Sequence, residues 1–147
     1  MAHVRTQIRD TMASVLTAAL PATYRVYASR KYPQNLGAKA LIDMRFLNEN
    51  IEGTTMGDER TRTASLYIRC HRGAAETELD NLLDADEVAI SDAIMDHDWS
   101  ALLEEQPELV QVNFTDDASG GTVIGAIVLR FDLEYRVSQF DLETVRG

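Results

Sequence analysis

The chain has 147 residues, of which 45% are hydrophobic and 26% charged, with 8 Gly and 3 Pro. This composition fits a single globular domain and excludes a disordered, collagenous or low-complexity chain and a large multidomain enzyme. Its net charge is −10, from 14 Lys and Arg against 24 Asp and Glu, so the basic surplus that nonspecific DNA binding requires is missing.

In chain order, the spacing of Val4, Ile8, Met12, Val15, Leu16 and Ala19 predicts an amphipathic helix over His3–Leu20, ended by Pro21. Tyr24–Arg30 reads as a short strand, residues 32–37 as a turn, and Ala40–Leu47 as a second strand with Ala40, Ile42, Met44 and Phe46 on one side. Asn48–Arg60 has glycines, threonines and acids but no apolar period, which predicts a mobile loop or a long hairpin tip. Thr61–His71 alternates, with Ala64, Leu66, Ile68 and Cys70 facing one way. Ala75–Met95 forms the second helix on a stripe of Leu79, Leu82, Leu83, Ala89, Ile90 and Ile94, and its first turns are acidic. Asp96–Gln106 is a connector with a helical turn around Trp99, Leu102 and Leu103. Glu108–Thr115 and Thr122–Ser138 are strands joined by a hairpin at residues 116–121, and the tail after Gln139 is expected to fray.

The order α-β-β-β-α-β-β predicts an α+β fold: a two-layer sandwich in which two helices cover one face of a mainly antiparallel sheet of about five strands. Residues 1–147 form one domain, with a mobile loop at 48–60. No apolar run reaches the roughly 18 residues of a membrane helix, and Met1–Arg5 lacks the apolar region of a secretory leader. Cys70 is the single cysteine, which excludes an internal disulfide and a cysteine zinc cage. Maturation in a cytoplasm is therefore expected.

Charge is unevenly placed. Residues 1–72 hold 11 basic and 6 acidic residues, a net of +5, whereas residues 73–147 hold 3 and 18, a net of −15. Such an asymmetry suits a head-to-tail contact between copies, and it equally suits a solvated acidic face. The alternating Arg130, Asp132, Glu134 and Arg136 fit either a solvated strand face or a lateral subunit contact.

Motifs for catalysis are sparse. Gly120-Gly121 lacks the Lys and helix of a phosphate loop. Cys70 falls on an apolar strand face and His71 on the opposite one, which disfavours a Cys–His pair. Asp96-His97-Asp98 contains metal-ligand residue types, but consecutive residues do not easily converge on one ion. A small metal-dependent enzyme built on these three residues is accordingly the weaker alternative. A ligand-binding regulatory domain has no pocket signature. No cofactor is expected.

The N-terminal residues carry more. Met1–Asp10, MAHVRTQIRD, and Tyr24–Pro33, YRVYASRKYP, resemble the tail terminator proteins of long-tailed bacteriophages, the family of minor tail protein U and its relatives. The order of elements over the whole chain is also similar to that family, while the central and C-terminal parts match only in pattern. The resemblance implies a structural virion protein at the tail-neck junction, made in the host cytoplasm and not an enzyme. Such a protein forms a ring, usually hexameric, on the tail tube, stops tube growth and presents the surface that head-completion or neck proteins join. DNA passes through its lumen without specific binding, and no membrane is involved. A head-completion or neck adaptor protein is the alternative.

The family pattern supplies no site residues, so the candidates rest on charge and exposure. Arg25, Arg30, Lys31, Arg60, Arg62, Arg69, Arg130 and Arg136 are candidates for a subunit or tube interface. Glu76, Glu78, Asp80 and Asp84 are candidate lumen acids, and Ile51 and Met56 candidate anchors in a binding loop.

Overall fold

The computed structural model describes residues 2–29, 40–53, 59–74, 76–119, 122–138 and 141–146. Its elements run α1 (Val4–Ala19), β1 (Tyr24–Val26), β2 (Ala40–Gly53), β3 (Glu59–Ala74), α2 (Glu76–Asp96), β4 (Glu108–Ser119), β5 (Thr122–Ser138) and β6 (Asp141–Val145). The fold is α+β, with both helices on one face of the sheet. The sheet is mixed: β1 joins β2 in parallel, and the other pairings are antiparallel. Its order is β1-β2-β3-β5-β4, with β6 added to β5.

Strand alternation builds the core. Ile42, Cys70 and Ile127 lie across from one another in register, as do Met44, Ile68 and Leu129, and then Phe46, Leu66 and Phe131. All point to the inner face, where Ile8, Met12 and Leu16 of α1 and Leu83, Ile90 and Ile94 of α2 close over them. The Trp99 indole is buried beside the end of α2 and donates to the Ile94 carbonyl at 2.9 Å, which satisfies its one donor. At Gly125 a Cβ would stand 2.7 Å from a Leu79 methyl, so the missing side chain is what lets α2 sit so close to β5.

Two differences from the sequence expectations, and one choice between expected alternatives, have physical causes. Of the loop and the hairpin expected at 48–60, the hairpin is found: Asn48–Gly53 continues β2 and pairs with β3, which begins at Glu59; residues 54–58, with Met56, lie outside the described residues. A bulge at Leu47, between the Phe46 and Asn48 pairings, reverses the alternation. Past it Glu49 and Ile51 turn to the inner side and the polar Asn48 and Asn50 to the outer, which hides the strand from a period-2 reading. The tail does not fray: Asp141–Val145 pairs with β5 on the side that β4 leaves at Asp132. Leu142 and Val145 pack on the core, and the Gln7 amide of α1 donates to the Glu143 carbonyl at 2.6 Å. Finally, β1 stops at Val26, four residues short of the expected strand end. No described helix is long and apolar enough to cross a membrane.

Candidate functional site

Three carboxylates are buried, one on α2 and two on β2, and none was singled out by sequence reasoning. Asp86 occupies a core-facing position of α2, between Leu83 and Ile90, and is 1% exposed. The Arg72 guanidinium grips both its oxygens at 2.7 and 2.8 Å, the Tyr24 hydroxyl donates at 2.5 Å, and the Cys70 thiol stands 3.6 Å away. Burial and the Asp86 carboxylate together push the Tyr24 phenol up to about 12. Burial also raises the Cys70 thiol, so it stays protonated and inert. Charge in the middle of an apolar stripe was the available signal for Asp86.

The second carboxylate, Glu49, lies at the other end of the inner face. It receives Arg62 at 3.0 Å and the Tyr135 hydroxyl, with Arg5 of α1 at 3.7 Å. Burial and the hydrogen bond to Glu49 raise the Tyr135 phenol. His3 caps α1, its Nδ1 accepting from the Arg5 amide at 3.0 Å; burial and the neighbouring Arg5 keep this imidazole neutral to lower pH than usual. The third, Asp43, is on the outer face, where Arg69 holds both oxygens at 2.6 and 2.9 Å. His71 stands beside it at 3.9 Å, with its pKa lowered chiefly by burial.

These pairs decide where the candidate basic residues go. Arg62 and Arg69 are engaged inside the chain. Arg130 meets Asp132 at 3.3 Å and Arg136 meets Glu104 at 3.9 Å, both on the outer sheet face. Arg60 donates to the Glu59 carbonyl. Arg25 is exposed on β1. Arg30 and Lys31 lie outside the described residues. Of the candidate acids, Glu78, Asp80 and Asp84 stand exposed on the solvent side of α2; Glu76 opens that helix, its side chain outside the description. Ile51 is exposed on β2 rather than in a loop.

The Asp96-His97-Asp98 cluster is drawn apart. The His97 ring stands edge-on to Trp99, and Asp98 accepts from the Ser100 amide at 3.0 Å, the bond that holds its pKa below the usual value. Among the described residues no three His, Cys, Asp or Glu side chains are grouped to hold a metal. A groove of about 680 Å³ runs between α1 and the end of α2, lined mainly by small side chains such as Ser14, Ala18 and Ala93.

Of the seven exposed large apolar side chains among the described residues, four lie on the sheet's margins and three, Val88, Met95 and Ile124, on α2 and β5. Leu47 and Ile51 lie on β2; Val110 and Phe114 lie on β4. Phe114 pairs in register with the buried Ile127, so it belongs to the inner face; the helix layer stops short of it. A basic pocket of about 280 Å³ adjoins the β2 margin, lined by His3, Arg5, Thr6, Arg9, Arg45 and Phe46.

No protein family model matches the chain, and no curated protein matches it. Solved structures do. One, described as "Virion of native gene transfer agent (GTA) particle", aligns over 90% of this chain and 92% of its own at 17% identity, with a TM-score of 0.45.

Proposed function

We propose that this chain is a structural virion protein of the tail-terminator kind, which closes into a ring on the end of a tail tube, stops its growth and offers the surface for head joining. The observation that carries the reading is the pair of N-terminal segments, Met1–Asp10 and Tyr24–Pro33, with their resemblance to that family. The architecture supports it: a small sheet with two margins open among the described residues suits a heterologous contact, and such a contact closes into a ring where its rotation closes. The partners are other copies of the chain, six by family analogy, the tube protein below and the head-completion proteins above. The exposed Glu78, Asp80 and Asp84 of α2 face a lumen in this reading, where they repel phosphate and let DNA slide.

The test is electron microscopy of lysates from a phage with a stop codon in this gene. Overlong tails detached from filled heads are the expected result. Tails of normal length beside unjoined heads would move the protein to the head side of the neck, as an adaptor. For the lumen acids, charge reversal at Glu78, Asp80 and Asp84 should slow DNA ejection; unchanged ejection would remove that part.

A further inference from the structure

The two margins of the sheet differ in charge and match in spacing. β1 covers only Ala40–Ile42 of β2, and from Met44 to Gly53 no described strand lies on that side. β4 is likewise open along its far side among the described residues. Each margin has a bulge whose central residue is an exposed aliphatic side chain: Leu47 at 53% on β2, Val110 at 41% on β4. Each has a second exposed apolar residue four positions on: Ile51 at 55%, Phe114 at 58%. On either strand the two points are about 13 Å apart. Bulged margins resist accidental strand pairing, so large apolar side chains retained there call for a cover.

Charge selects the cover. Beside Leu47, the pocket formed by Arg5, Arg9 and Arg45 has a surplus of guanidinium, and the Arg9 Nε is buried without an acceptor. A buried donor left unpaired is costly, and a carboxylate from outside would relieve it. β4 has Glu108, Asp116 and Asp117 and no Lys or Arg.

We infer that the β2 margin of one copy docks on the β4 margin of the next. Resting on the ring reading, this names the surfaces that close the ring. Direction follows from topology. β2 is antiparallel to β3, β3 to β5 and β5 to β4, so β4 runs opposite to β2. A second copy continuing the sheet in the same sense therefore lays its β4 antiparallel to β2. Leu47 then meets Phe114 and Ile51 meets Val110. The apolar centre with charges at its rim is the usual anatomy of a protein interface.

Paired cysteines test the register in the full chain, where the buried Cys70 stays silent. Leu47→Cys with Phe114→Cys, and Ile51→Cys with Val110→Cys, should oxidise to ladders of covalent oligomers. Each single variant should yield at most a dimer. Leu47→Asp, a change at an exposed side chain, should weaken self-association at least about tenfold. A chain that sediments as a monomer at about 1 mM overturns the inference, as do double variants that cross-link no better than the single ones. Oligomers that form yet resist both cysteine pairs retire these margins and leave the ring reading standing. Cross-linked oligomers from a gene whose loss leaves tails unchanged retire the terminator reading and leave the margins standing.

Discussion

The inner face of the sheet has a buried carboxylate at each end, and the two are finished differently. At the Asp86 end, helix α2, strand β3 and the short β1 each contribute one member, and the Arg72–Asp86 pair closes on itself with Tyr24. At the Glu49 end the same trio recurs as carboxylate, arginine and tyrosine, but ends are left loose. Arg62 Nε and Arg9 Nε are buried without acceptors, and Arg5 reaches Glu49 only at 3.7 Å with 40% of its side chain in solvent. Similar chemistry therefore serves as a fastener at one end and as an unfinished charge site beside an open margin at the other. A closed pair stabilises only its own fold; a site with surplus donors has something left to offer a partner.

The sharpest way to break this contrast is Asp86→Ala. It strands the Arg72 guanidinium in the core and should cost about 3–5 kcal/mol, which in a chain of this size lowers the melting temperature by about 10 °C or more. A loss below about 1 kcal/mol in urea titrations would mean that Asp86 fastens nothing. Glu49→Gln keeps an acceptor and leaves Arg5, 40% of whose side chain is in solvent, able to reach water, so the expected cost is smaller, about 1–2 kcal/mol. Equal costs at the two ends would erase the distinction.

A third comparison uses pH. The Tyr24 phenol titrates near 12 in the fold against 10.0 when free. The folded state therefore binds more protons between those values, and its stability is intact below pH 10 and falls as pH rises toward 12. Tyr24→Phe should flatten that alkaline limb in a melting-temperature profile. On the acid side the sign reverses. His71 has a lowered pKa, so its contribution is complete above the free value of 6.5 and is lost as pH falls below it. His71→Gln should flatten this acid limb. The smallest effect belongs to Arg5→Ala, less than about 1 kcal/mol for so exposed a pair; a larger loss would mean that the Glu49 end is as closed as the other.

Much of the fold was legible from alternation alone. Ala64, Leu66, Ile68 and Cys70, and Ile127 through Val137, are buried on the face their spacing assigns. The helices were equally plain. What escaped was set by single residues that break a period. The bulge at Leu47 disguised half of β2, and five tail residues carry too few apolar positions to announce β6. The charged clusters escaped because a pair such as Arg72 and Asp86 is far apart in sequence and meets only after α2 has crossed the sheet. Asp86 alone was detectable, as an acid in an oily stripe. Among the candidate interface residues chosen by charge, Arg62 and Arg69 pair with carboxylates of their own chain.

Cys70 offers a clock. Its sulfur is walled in by Asp86 and the overlying helix, so a thiol reagent can reach it only when α2 lifts from β3. In the regime where closing outruns labelling, the rate of modification measures the free energy of that opening under native conditions. A slow, single reactive event would thus report, without any unfolding agent, how firmly the second helix is seated, and whether joining a neighbour seats it harder.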